Sequence, residues 1–172
     1  MLAKLLVVMI LIFSSAPWLA QAECSGDQNV TAYLEEHPGW KPVAMSDLAS
    51  DDRALWQRYH RGLCPGIAAV NFGDGGKSWV LALLSQSRGK MQEELVAVKQ
   101  MGSKQSEQVL SPAIEADRIS VVWRAEPGKS HDYATGRTVL VPHDSAIYEV
   151  MESGALQFYW THGGFRTLQT AD

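Results

Sequence analysis

The spacing of hydrophobic residues changes twice along the chain. Residues 5–13 form an unbroken apolar run. Between residues 27 and 62, apolar side chains recur three or four positions apart, which is the period of a helix. From residue 66 onward the period becomes two, in short runs separated by Gly, Ser, Asp and Pro. The pattern therefore predicts a helical N-terminal part followed by a β-rich remainder.

The first apolar run has the features of a secretory signal. Lys4 precedes it, and the small-x-small tripeptide Ala20-Gln21-Ala22 follows it as a cleavage site. The run is shorter than the roughly 20 residues that a transmembrane helix needs. We therefore expect a signal peptide over residues 1–22 that is cleaved near Ala22, a periplasmic or extracellular location, and no transmembrane anchor.

Two short helices are predicted in the next region. Asp27 or Asn29 is expected to cap the first, which ends before a Pro-Gly pair. Ser46 or Ser50 is expected to cap the second, and Gly62 is suited to a position just beyond its C-terminus.

Nine strands are predicted from the period-two runs, and most of the connections between them are short enough for hairpins. We therefore expect an α+β fold in which one or two N-terminal helices pack on a curved antiparallel β-sheet, built as a meander of hairpins. A single domain is expected over residues 23–172, helical over 27–62 and β-rich over 66–170. The predicted strands span 67–72, 78–85, 94–101, 107–111, 119–125, 137–141, 146–151, 156–161 and 165–170.

Composition sharpens this picture once the signal peptide is removed. Of 172 residues 150 remain, and because Lys4 is the only charged residue lost, the formal net charge changes from −4 to −5. Lys and Arg are dispersed, without the basic stripe that neutralises a polyanion, so no nucleic-acid partner is expected. Cys24 and Cys64 are the two cysteines, and in an exported chain they are expected to form a disulfide.

The segment at residues 70–79 reads Val-Asn-Phe-Gly-Asp-Gly-Gly-Lys-Ser-Trp. It resembles the calcium-loop region of FG-GAP-type repeats, where Asp and Asn oxygens alternate in a Gly-rich turn between two strands. The resemblance implies a calcium site with Asn71 and Asp74 as ligands. The same residues are also explained by a glycine-rich hairpin loop in which Asp74 and Gly75 supply the turn.

The final hairpin predicts a binding surface. Alternation over residues 156–161 places Gln157 and Tyr159 on the face opposite Phe158. With Tyr148 on a neighbouring strand, these residues would form a flat aromatic patch for a protein or glycan partner. The alternative is that most aromatic side chains belong to the core.

Catalytic chemistry has weaker support in the sequence. The tripeptides Ser130-His131-Asp132 and His143-Asp144-Ser145 contain the residue types of a hydrolase triad. Neighbours in an extended chain point to opposite faces, however, so a triad would have to assemble across the fold. We assign no catalytic residue and expect no cofactor.

The function that we predict is a small exported binding or accessory module, of the kind used for inhibitors and immunity proteins, acting on a protein or glycan of the cell envelope. One alternative is a hydrolase of an envelope or glycan substrate that uses His131, His143, Asp132 and Asp144 as its acid and base groups. The other is a weak calcium-dependent binding module.

Overall fold

The computed structural model describes Cys24 and residues 27–73, 75–101 and 104–171. The predicted signal peptide lies outside these residues. Within them the chain forms two α-helices and eleven β-strands. They are α1 Gln28–Glu36, β1 Trp40–Pro42, α2 Ser50–Tyr59, β2 Ile67–Val70, β3 Ser78–Ser87, β4 Lys90–Met101, β5 Lys104–Glu115, β6 Val121–Ala125, β7 Gly128–Asp132, β8 Arg137–Val141, β9 Ser145–Val150, β10 Gly154–Thr161 and β11 Gly164–Ala171.

The α+β class with antiparallel strand pairing is confirmed. The expectation of one curved sheet is not, because the strands divide into three sheets. Sheet A has the order β1-β3-β4-β5 with β2 also paired to β3, and sheet B has the order β11-β10-β9-β6. Strands β7 and β8 pair only with each other and form a separate hairpin. Among the described helices, none combines the length and the apolar character needed to cross a bilayer.

All nine predicted strands are present, with ends that differ by a few residues. Helix α1 is capped by Asp27, whose carboxylate accepts a hydrogen bond from the backbone N–H of Asn29 at 2.9 Å. The predicted serine cap of α2 is wrong, because Ser50 is the first helical residue and Ala49 occupies the cap without a side-chain bond. Strands β1 and β7 were not predicted. The first has only three residues, and the second reads Gly-Lys-Ser-His-Asp, which has no apolar alternation.

Strand β3 is buried on both faces and organises the interior. Every residue from Ser78 to Leu84 in this strand is buried. One face packs against sheet B and against Trp56 of α2, and the other is covered by Val30 and Tyr33 of α1. The inward side chains are Val80, Ala82 and Leu84 on the first face and Trp79, Leu81 and Leu83 on the second.

A buried polar contact joins the two large sheets inside this core. Glu93 of β4 is 6% exposed, and its carboxylate accepts hydrogen bonds from the backbone N–H and the hydroxyl of Ser120, at 3.1 and 2.8 Å. The Tyr148 hydroxyl belongs to the same cluster, and burial raises the pKa of this group. Because a buried polar group is costly unless it is paired, these bonds fix how the sheets are aligned.

The predicted disulfide is confirmed between Cys24 and Cys64. It ties the segment before α1 to the start of sheet A, across a sequence separation of 40 residues. Closing a loop of this length removes enough entropy from the unfolded chain to stabilise the fold by about 4 kcal/mol, in the chain-entropy model.

Candidate functional site

The β7–β8 hairpin lies over the outer face of sheet B and is held there by a chain of hydrogen bonds. The Ser130 hydroxyl donates to the side-chain oxygen of Gln157. The Gln157 amide then donates to the Ser145 hydroxyl at 2.7 Å, and that hydroxyl donates to the Ala125 carbonyl at 3.4 Å. This series of hydrogen bonds therefore connects β7 to β10, β9 and β6 in turn.

Asp132 makes a second attachment at the end of β7. Its carboxylate accepts hydrogen bonds from the Thr135 hydroxyl at 2.6 Å and from the backbone N–H groups of Ala134 and Gln169, at 3.3 and 3.1 Å. The Thr135 bond is the main cause that holds the pKa of the Asp132 carboxyl below its ordinary value. Burial opposes that shift, and the two N–H groups reinforce it. The backbone N–H of Tyr133 also donates to the Gln169 carbonyl at 2.8 Å, so the hairpin is fixed to β11.

A cleft of about 350 Å³ remains between the hairpin and the sheet. It is open because small residues meet there: Ala125 of β6, Gly128 of β7 and Ala155 of β10. Gly128 lies two positions before Ser130, so both residues face the sheet. A Cβ atom added at Gly128 would meet nothing within 4 Å, so the space in front of this glycine is free.

The cleft has an aromatic wall with a polar group fixed against it. The indole N–H of Trp123 donates to the Glu149 carboxylate at 3.1 Å. Behind Trp123, the ring of His60 lies between two indoles, with centroid distances of 4.9 Å to Trp123 and 4.4 Å to Trp56. Burial lowers the pKa of His60, and the nearby Glu149 charge opposes that shift. The orientation of Trp123 is therefore set from both sides.

The predicted aromatic patch is not formed. Tyr148 is 8% exposed and Gln157 is 4% exposed, so neither can share an exposed surface with the half-buried Tyr159. Tyr148 pairs with Leu156, which faces the opposite side of β10 from Tyr159. The alternation predicted for β10 is present, but the β7–β8 hairpin covers the face on which Gln157 lies. Exposure of Tyr148 and Gln157 is therefore a wrong prediction.

The histidines of the hydrolase hypothesis lie apart from one another. His131 is exposed, and its ring packs edge-on against Tyr133 at 4.9 Å. His143 is also exposed and lies so close to Gly73 that a side chain there would collide with the imidazole. Neither histidine lines the cleft beneath the hairpin. The serines of the two tripeptides, Ser130 and Ser145, are both hydrogen-bonded to Gln157.

Asp144 and Asn71 are in direct contact with each other. The Asp144 carboxylate accepts a hydrogen bond from the backbone N–H of Asn71 at 3.1 Å and lies 3.5 Å from the guanidinium of Arg124. The Asn71 side-chain oxygen accepts from the Gly73 N–H at 3.0 Å. Over the ranges described above, no three His, Cys, Asp or Glu residues are placed to hold a metal ion. Asp74 lies outside those ranges, so the calcium site stays a prediction.

Sequence reasoning missed the residues that line the cleft. None of Trp123, Gly128 and Glu149 was singled out. One signal was present: Glu149 interrupts an apolar strand two residues after Ile147, so a carboxylate and an apolar side chain share one face. The partner element of that face could not be identified, because β7 has no strand pattern.

Comparison with known proteins gives no family for this chain. No protein-family model matches it, and neither does any curated protein or solved structure. A function for the chain therefore rests on the chemistry of its own residues.

Replacing Gln157 by Leu should destabilise the fold by about 1–3 kcal/mol, because the Ser130 hydroxyl loses its acceptor and the Ser145 hydroxyl loses the amide that donates to it. Urea denaturation at neutral pH measures this loss. The same replacement at Gln108, an exposed glutamine of β5, is the matched control and should change the unfolding free energy by no more than about 0.5 kcal/mol. Equal effects of the two variants would contradict the anchoring role of Gln157.

The Asp132 attachment should also depend on pH. Because its pKa in the folded protein lies below the ordinary value of 3.8, the unfolded chain takes up the proton first. The stability that Asp132 contributes is therefore complete above about pH 4 and is lost as pH falls through its folded pKa. We expect Asp132→Asn to be less stable than the parent at pH 7 and the difference to shrink near pH 2.5. Asp117→Asn, at an exposed carboxylate, is the control measured at the same two pH values. A stability difference between Asp132→Asn and the parent that is constant with pH would refute the assignment.

Proposed function

We propose that the chain is an exported binding or accessory module whose ligand enters the cleft between the β7–β8 hairpin and sheet B. The observation that carries the proposal is the way this cleft is built. The β7–β8 hairpin that covers it is bonded to sheet B through Ser130 and Gln157. The Trp123 side chain that lines it is held in place by Glu149 and His60. A site whose polar groups are already oriented loses little entropy when a ligand binds.

The geometry favours binding over hydrolysis. Ser130, Gln157 and Glu149 in the cleft are each hydrogen-bonded to another protein side chain. The histidines of the hydrolase alternative lie outside it. The partner that we propose remains a protein or glycan of the cell envelope, as expected for an inhibitor-like or immunity-like module. Calcium dependence through Asn71 and Asp74 is a separate and weaker proposal that rests on the loop resemblance.

Export is supported by two independent features. Residues 1–22 have the pattern of a cleavable signal, and Cys24 and Cys64 form a disulfide, which persists in oxidising compartments. We propose that the functional form begins near Glu23, acts in the periplasm or outside the cell, and comprises one domain.

Cell fractionation followed by mass spectrometry tests export. The chain expressed from Met1 should be recovered outside the cytoplasm with the mass of residues 23–172 and with both cysteines blocked to alkylation. A variant lacking residues 2–22 should stay in the cytoplasm with free thiols. Recovery of the uncleaved chain from the cytoplasm would refute the proposal.

Filling the cleft tests the binding site. Gly128→Trp should project an indole into the cleft without backbone strain and should weaken co-sedimentation with the envelope fraction of the source cells by at least about tenfold. Gly164→Trp is the matched control, because a Cβ there also meets nothing within 4 Å and Gly164 does not line the cleft. Equal co-sedimentation by the two variants would refute the site.

A further inference from the structure

The size of the cleft limits what it can hold. At about 350 Å³ it lies near the lower end of the range for small-molecule sites. An α-helix, with a diameter of about 10–12 Å including its side chains, is too wide for it. The cleft is therefore suited to a single ring-sized group, presented on its own or as part of a longer chain.

The wall of the cleft offers an aromatic surface whose donor is already occupied. The Trp123 indole N–H is bonded to Glu149, so the ring presents its apolar surface to a ligand and not its hydrogen. The π-face of an indole carries partial negative charge. It therefore attracts weakly polarised C–H groups, such as those on the axial face of a pyranose ring.

The floor of the cleft can both donate and accept hydrogen bonds. An amide side chain offers two N–H donors and two acceptor positions, and Gln157 uses one of each in the bonds to Ser145 and Ser130. Glu149 uses one carboxylate oxygen for Trp123. A ligand that uses the remaining hydrogen-bonding positions of Gln157 and Glu149 must carry groups that both donate and accept hydrogen bonds, as hydroxyl groups do.

The charged groups around the cleft leave no surplus cation. The lining carries two carboxylates, Glu126 and Glu149, and one ammonium, Lys129, and the Arg124 guanidinium lies 3.6 Å from Glu126 and 3.5 Å from Asp144. A phosphate or a uronate would meet the Glu149 carboxylate without a surplus cation, and a basic side chain would meet Lys129. The electrostatics therefore favour an uncharged ligand.

From these four features we infer that the cleft binds one pyranose ring of an uncharged oligosaccharide. The ring stacks on Trp123, and its hydroxyl groups bond to Glu149 and Gln157. This inference rests on the proposed function of the cleft as the ligand site, and it chooses glycan over protein as the partner.

Titration of the exported protein by calorimetry tests the inference with five probes. Cellotriose, maltotriose and triacetylchitotriose are the neutral oligosaccharides, and trigalacturonate and trilysine are the charged probes. At least one neutral probe should bind with a dissociation constant below about 1 mM, and trigalacturonate should bind at least about tenfold more weakly.

Three cleft variants and one control, Gly164→Trp, assign the binding to the cleft. Glu149→Gln should weaken it by about tenfold, because a charge-assisted hydrogen bond becomes a neutral one. Trp123→Leu should abolish it, whereas Trp123→Phe should retain part of it through the smaller ring. Gly164→Trp should bind as the parent does. Far-UV circular dichroism confirms that the Trp123 variants are folded, so that loss of binding is separated from loss of structure.

Two outcomes would overturn the inference. One is that no neutral probe binds up to about 10 mM, and the other is that trigalacturonate or trilysine binds more tightly than every neutral probe. If Gly128→Trp still weakens co-sedimentation with the envelope in either case, the cleft remains the ligand site and only the ligand class is wrong. If Gly128→Trp has no effect, the proposed function fails as well.

Discussion

The burial of β3 on both faces is the constraint on which the rest of the structure depends. Seven successive residues from Ser78 to Leu84 are buried. A strand of this kind needs a covering layer on each side, and the chain supplies α1 on one side and α2 with sheet B on the other. The disulfide from Cys24 to Cys64 joins the segment before α1 to the start of sheet A.

Sheet B has a different character, because only its inner face belongs to this core. Its outer face is covered by a hairpin that is attached through polar contacts at Gln157 and Asp132. Hydrogen bonds depend on direction in a way that apolar packing does not, so such an attachment fixes the height and angle of the hairpin. Where the facing residues are small, as at Gly128 and Ala155, the fixed spacing leaves the cleft open.

Local sequence patterns were sufficient to predict the helices and most strands, but not the residues that form the cleft. The nine predicted strands and both helices are present, because alternation and helical spacing are properties of neighbouring residues. Gln157 was placed on the correct face of β10 and yet judged exposed, since its cover comes from β7, 27 positions earlier in the chain. Tyr148 was judged exposed because nothing local shows that its face of β9 meets sheet A.

The sequence by itself determined the α+β class, the positions of most elements, the pairing of Cys24 with Cys64 and the export pattern at the N-terminus. Each of these depends on composition or on the spacing of near neighbours. Only the tertiary structure decided that the strands divide into three sheets, that Gln157 anchors a hairpin, and that Trp123, Glu149 and Gly128 border one cleft. The physical reason is that these contacts join residues about 20 or more positions apart, and burial there depends on which element lies opposite.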